Sequence, residues 1–149
     1  MRVRPYADGD WAEWLRMSFA LFPEEPRQEI ERGMRETRAN PNAAVFIAER
    51  KDGTVCGFVE VGERSYAEGC ETSPVGYIEA WYVDADARRQ GVGRALLAAA
   101  EDWARSRGRT EMGSDALLDN VRSHEAHRRS GYEEVERLVV FRKELRGER

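Results

Sequence analysis

Hydrophobic positions along the chain switch repeatedly between a period of two and a period of three to four, which predicts strands and helices alternating within one folding unit. Arg2 to Tyr6 reads as a short strand, and Asp8 then caps a helix carrying Trp11, Trp14, Leu15, Phe19 and Phe22. Pro23 and Pro26 end it. Arg27 to Arg38 reads as a charged, mostly exposed helix whose apolar Ile30 and Met34 share one face, stopped by Asn40-Pro41-Asn42. Ala43 to Glu49 and Thr54 to Gly62 are strands joined through Lys51-Asp52-Gly53, a hairpin signal. A polar loop from Glu63 to Pro74 leads to a long apolar strand, Val75 to Val83. Arg94 to Arg107 is helical, with Leu97, Ala100 and Ala104 on one stripe and Gly108 at its end. A strand around Thr110 to Ala116, a helix from about Asn120 to Arg129 and a last strand from Tyr132 to Arg142 complete the chain. The order β-α-α-β-β-β-α-β-α-β is mixed α/β, with a largely antiparallel front half.

Composition narrows the class. A chain of 149 residues without a biased linker is one domain, residues 1–149, large enough for a core without staples. Its 41% hydrophobic and 35% charged content is that of a globular protein. No apolar run approaches the ~18 residues of a membrane span, and Met1-Arg2-Val3-Arg4-Pro5 lacks the apolar core of a signal peptide. A cytoplasmic location without membrane contact is therefore expected. Cys56 and Cys70 lack metal-ligand spacing and read as free thiols, and no metal is expected. A net charge of −4 gives no nucleic-acid footprint and leans toward cationic substrates.

The most specific stretch is Arg88-Arg89-Gln90-Gly91-Val92-Gly93-Arg94, which joins the apolar strand to the alanine- and leucine-rich helix. Gly91 and Gly93 let the main chain approach a ligand closely, and the N–H groups at the helix start suit an anion such as pyrophosphate. There is no G-x-x-x-x-G-K-S/T here. A dinucleotide fingerprint is also missing, because Leu96 stands where its third glycine belongs.

Acids supply the second candidate chemistry. Tyr77, Glu79, Trp81 and Val83 alternate onto one strand face, so Glu79 falls among large apolar neighbours and should have a partner. A structural ion pair or a surface edge residue is the bland alternative. Asp115 lies near the end of the next strand, where a helix-cap or turn role is equally open beside Asp119 and Asn120. Glu136 alternates in the last strand, where it can simply be solvated. Trp11, Trp14, Phe19 and Trp103 are at helical spacing and read as core. Phe22 ends a helix and Tyr66 sits in a polar loop, so both are candidates for ligand contact.

Arg88, Gly91 and Gly93 match the R/Q-x-x-G-x-G/A signature of the GCN5-related N-acetyltransferases, and the element order is theirs over nearly the whole chain. Gly76 to Val83, Ser114-Asp115, Leu118-Asp119-Asn120, Ser123, His127, Gly131 to Glu134, Glu136-Arg137 and Phe141 to Lys143 resemble the aminoglycoside 6'-N-acetyltransferases. The resemblance implies a co-substrate, acetyl-CoA, held by Trp81, Tyr82, Val83, Arg88, Arg89, Gln90, Gly91, Val92, Gly93, Arg94 and Asn120. It implies an aminoglycoside pocket lined by Phe22, Tyr66, Glu79, Asp115 and Glu136, and a homodimer whose neighbouring subunit can complete the cleft. At Phe22 these enzymes carry a tryptophan, so an indole donor is missing.

An amine acceptor must lose a proton before it attacks a thioester in a ternary complex. Glu79 is the first candidate for that base and Asp115 the second. The main-chain N–H near Val83 would meet the developing oxyanion, as the resemblance implies. His127 stands where many relatives place a tyrosine acid; a solvated residue or a phosphate contact is the other reading. An acetyltransferase of polyamines, peptides or lysine, and a non-catalytic acyl-CoA sensor, are the rival functions.

Overall fold

The structure is a computed structural model and describes residues 1–147. Strand β1 (Arg2–Pro5) precedes helices α1 (Trp11–Leu21) and α2 (Arg27–Ala39). Strands β2 (Ala43–Glu49), β3 (Val55–Arg64) and β4 (Val75–Val83) follow, then α3 (Val92–Ser106), β5 (Met112–Gly113) and α4 (Val121–Arg129). The five strands lie in sequence order in one sheet, antiparallel from β1 to β4 and parallel between β4 and β5.

Alternation along the strands divides the core between the two faces of the sheet. On one face Trp14, Met17, Ile30 and Met34 from α1 and α2 meet Val45, Ile47, Phe58 and Ala80. On the other, Leu96, Leu97 and Ala100 of α3 cover Ala48, Cys56, Val59, Val61 and Ile78. The apolar stripe expected on α3 is thus the buried one. Helix α1 starts later than expected, because a turn of 3-10 helix occupies Asp8–Asp10. The structuring acid there is Asp10 rather than Asp8: its carboxylate accepts from the Ala7 N–H at 2.8 Å and from both terminal nitrogens of Arg4.

Two further expectations are corrected. The strand over Thr110 to Ala116 contracts to Met112–Gly113, because β5 pairs with β4 only at Gly76 and Tyr77 before the two chains part. The strand over Tyr132 to Arg142 is not formed: from Tyr132 to Gly147 the chain lies outside any helix or strand, with Val139, Val140 and Phe141 exposed. An extended segment becomes a strand only where an edge accepts its main-chain hydrogen bonds, and two residues of β5 offer little edge within this chain.

Candidate active site

Between Glu60 and Val61 the β3–β4 register slips: Glu60 faces Ala80 whereas Val61 faces Ile78, leaving Glu79 as the extra residue of a β-bulge. The bulge breaks the expected alternation. Trp81 joins Ile78 on the α3 face, while Glu79 points to the opposite side. The expected grouping of Glu79 with Trp81 and Val83 is therefore wrong, since one inserted residue reverses the sense of every later side chain.

On that opposite side a cleft of about 470 Å³ opens between the sheet and helices α1 and α2. Its acidic lining is Glu25, Glu29, Glu36, Glu60, Glu63 and Glu79, with Phe22 on the wall and no lysine, arginine or histidine among the lining residues. Arg32 pairs with Glu29 and Glu36, and Arg107 and Arg109 with Glu63, while among the described residues Glu25 and Glu60 have no ion-pair partner, which leaves a wall that favours cations. Glu79 is exposed rather than set among apolar neighbours, and it is ion-paired all the same: both its oxygens receive the Arg64 guanidinium, at 2.7 and 2.9 Å. Arg64 also lies 3.7 Å over the Tyr77 ring, and the Tyr77 hydroxyl donates to Asp115 at 2.6 Å. Burial, with Asp115 next, raises the Tyr77 phenol far above its ordinary range and keeps it a donor. Arg64 and Tyr77 thus connect Glu79 to Asp115, although Asp115 falls two residues past β5, in the loop.

The other end of β4 meets the predicted cradle. Gly91 caps α3 at φ +84°, a left-handed conformation, and a Cβ there would meet only open space. At Gly93 a Cβ would press on the Trp81 ring at 3.1 Å, and Trp81 donates its indole N–H to the Gly93 carbonyl. The first intrahelical bond runs from Ala95 to Gly91, so the N–H groups of Val92, Gly93 and Arg94 need another acceptor. Arg89 is also left-handed, at φ +63°. Arg88 turns back, donating to the Val83 carbonyl at 2.9 Å, and Gln90 donates to the Asp86 carbonyl. Arg94 donates to the Arg129 carbonyl, which fastens the cradle to the end of α4.

From Ile78 to Val83 the β4 edge that faced β5 has no strand partner, which leaves an open track from the bulge to the cradle. Asn120 caps α4, its side chain accepting from the Ser123 N–H at 3.2 Å. His127 packs edge-on against both Trp81 and Tyr132. Its Nδ1 is 2.7 Å from the Ser123 carbonyl and therefore carries a proton, while Nε2 lies 2.8 Å from the Ser114 hydroxyl. With each ring nitrogen partnered inside the chain, His127 is better placed to hold Trp81 than to act as a free acid.

The remaining candidates are dispersed. Tyr66 is 70% exposed in its loop, and Glu136 lies on the exposed C-terminal segment; neither lines the cleft. Glu60, Arg64 and Tyr77 were not singled out from the sequence as site residues. For Glu60 a signal existed, a lone carboxylate in the otherwise apolar run Val55 to Gly62. Among the described residues no group of His, Cys, Asp and Glu is arranged to hold a metal ion, and no helix is long and apolar enough to cross a membrane.

An acidic cleft at the bulge in the middle of β4 and a glycine-built helix start beyond its C-terminal end are joined by the open β4 edge. The acetyltransferase (GNAT) family pattern matches residues 9–132, and the chain belongs to that family. It is 46% identical to an aminoglycoside N(6')-acetyltransferase type 1 of Klebsiella aerogenes, covering 96% of both chains. To the enzyme of the same name from Stenotrophomonas maltophilia it is 41% identical over 96% of this chain and 93% of that one. Among solved structures, the apo aminoglycoside 6'-N-acetyltransferase AAC(6')-IG from Acinetobacter haemolyticus superposes with a TM-score of 0.91 at 35% identity, covering 98% of this chain and 100% of that one. AAC(6')-Iy, solved with the bisubstrate analogue CoA-S-monomethyl-acetylneamine, superposes at 0.90 with 31% identity, over 97% and 98% of the two chains.

Proposed function

We propose that this protein is an aminoglycoside 6'-N-acetyltransferase, moving the acetyl group of acetyl-CoA to the 6'-amino group in a ternary complex and so conferring antibiotic resistance. The observation that carries the reading is the cleft: six carboxylates and no basic residue line the wall at the β4 bulge, and the cradle follows the C-terminal end of the same strand. The names of the relatives, at 41% and 46% identity over nearly the whole chain, support the same substrate.

Acetyl-CoA supplies an activated thioester, and the residues fit its pyrophosphate and arm. Val92, Gly93 and Arg94 offer N–H groups at a helix start, assisted by the α3 dipole. Arg89 and Arg94 stand beside these groups with cationic side chains, Trp81, Tyr82 and Val83 border the track, and Asn120, the cap of α4, is assigned to the coenzyme arm by the likeness to the family. Arg88 keeps the Val83 carbonyl in place instead of reaching into the cradle. On the unpaired β4 edge, main-chain N–H groups near Val83 and toward the bulge are available to an oxyanion.

Phe22 supplies an apolar wall for a sugar ring, and Glu79 and Asp115 bind ammonium groups through charge-assisted hydrogen bonds. Because Arg64 occupies both Glu79 oxygens, an incoming ammonium exchanges with the guanidinium. Tyr66 and Glu136 belong to the reading through a second copy of the chain. The exposed run Leu138, Val139, Val140 and Phe141 supports a homodimer in which this segment is covered, carrying Glu136 toward the partner's cleft. Light scattering of the parent, expected at twice the monomer mass, tests the dimer.

Thiol release with a panel of amines tests the function. Turnover of 6'-amino aminoglycosides is expected. Turnover only of a polyamine, a peptide or lysine would replace the substrate, and acetyl-CoA binding with no turnover would leave an acyl-CoA sensor.

A further inference from the structure

One carboxylate of the cleft is set deeper than the others. Glu60 lies in the middle of β3, opposite Ala80 and directly beside the bulge at Glu79. Its side chain enters the layer under α1 and α2, where Oε2 accepts from the indole N–H of fully buried Trp14 at 3.1 Å. Oε1 is 3.4 Å from the Thr37 hydroxyl, whose single hydrogen is also claimed by the Gly33 carbonyl at the shorter distance of 3.0 Å. Oε1 is therefore incompletely satisfied, and it is on the cleft wall.

The charged groups facing it are all acids or already neutralised. Helix α2 contributes Glu29 and Glu36, both paired with Arg32, the turn after α1 contributes Glu25, and α1 contributes no charged group, only Ser18 and the Trp14 donor. From β3, Glu63 is paired with Arg107 and Arg109; from β4, Glu79 is paired with Arg64. No cation compensates Glu60. Burial pushes its carboxyl up to about 7, against the opposite pull of the Trp14 and Thr37 hydrogen bonds. A link between the helices and the sheet does not require this acid. The amide of glutamine would accept from Trp14 and donate to Thr37 without the cost of a buried charge.

We propose that Glu60 is the proton acceptor of the acetyl transfer, in place of the ion-paired Glu79. Its carboxylate takes one proton from the bound ammonium, and the nitrogen lone pair so released forms the new bond to the thioester carbon. As the carbon–sulfur bond breaks, the electron pair leaves on sulfur, and the second nitrogen proton goes to the thiolate. Glu60 returns its own proton to water through the open cleft. This rests on the acetyl-transfer reading above.

The test is the pH dependence of kcat and kcat/KM with a 6'-amino aminoglycoside such as kanamycin, for the parent, Glu60→Gln and Trp14→Phe. The parent is expected to lose kcat/KM as pH falls through about 7. Glu60→Gln lowers kcat by about 100-fold or more and flattens that acid limb, while the KM for acetyl-CoA stays as in the parent. Trp14→Phe removes a donor to the anion and moves the limb to higher pH. If Glu60→Gln does not fold, Glu60→Asp is the readout: the limb persists with a lowered kcat, because the carboxyl is retained but drawn back.

A Glu60→Gln enzyme with parental kcat and a parental acid limb overturns the proposal while leaving the acetyl-transfer function standing. For Glu60→Asp the overturning result is a parental kcat. A parent that acetylates other amines but no aminoglycoside removes the functional reading, and the same Glu60 series is then decided on that amine. A parent that releases no thiol with any amine removes both.

Discussion

The cradle, beyond the C-terminal end of β4, and the acidic cleft, at the bulge in its middle, are built by different means. The cradle consists of consecutive residues whose main chain makes the site: Gly91 is left-handed, Gly93 is pressed against Trp81, and the first N–H groups of α3 lack internal partners. The cleft is made of side chains from α1, α2, β3 and β4, brought together by packing and by one slipped register. A main-chain site tolerates change in most side chains but not in backbone conformation. A side-chain site behaves in the opposite way.

Four substitutions sharpen or break this contrast. The largest effect is on stability at Glu60. Its folded carboxyl is raised above its ordinary value, so the fold holds the proton more tightly than the unfolded chain and loses stability as pH rises from the ordinary carboxylate range through about 7. Glu60→Gln lacks this loss. Its stability relative to the parent, read by denaturant melts, should improve by on the order of 3 kcal/mol between about pH 4 and about pH 8. An unchanged difference would mean that the fold does not raise the Glu60 carboxyl above its ordinary range.

Next comes Glu79→Ala, which removes charge-assisted hydrogen bonds of about 2 kcal/mol. The KM for an aminoglycoside should rise by roughly 10- to 100-fold with the KM for acetyl-CoA unchanged. Equal changes in both would erase the separation of the two regions. Gly91→Val forces a β-branched residue into left-handed backbone at a cost of about 1–2 kcal/mol. It should raise the KM for acetyl-CoA about tenfold and spare the aminoglycoside KM. The smallest effect belongs to Arg64→Met, because exposed ion pairs contribute only about 0–1 kcal/mol. With the competing guanidinium gone, the aminoglycoside KM should fall by up to about fivefold. A rise instead would make Arg64 a support that holds Glu79 in position.

The same contrast explains what could be read before the structure was known. Helical stripes such as Leu97, Ala100 and Ala104, and the strand Val75 to Val83, depend on local periodicity and lie where the pattern put them. Arg88 to Arg94 was legible because a double-glycine turn into a helix is a local main-chain property. Asn120 was legible as a cap for the same reason. Glu79 was identified, but its face was not: strand alternation assumes an unbroken register, and the bulge opposite Glu60 and Val61 breaks it. Tyr132 to Arg142 has the pattern of a strand and lacks a partner edge within the chain.

By itself the sequence determined the helices, the first four strands, the double-glycine turn into α3 and an acidic character suited to cationic acceptors, since each follows from residues near one another in the chain. Tertiary structure decided which acids meet. Glu79 is bound to Arg64 fifteen positions away, and Glu60 is set against Trp14 across forty-six. Whether a carboxylate is neutralised by a guanidinium or left uncompensated under two helices is a matter of distance and burial, and neither is encoded in local periodicity.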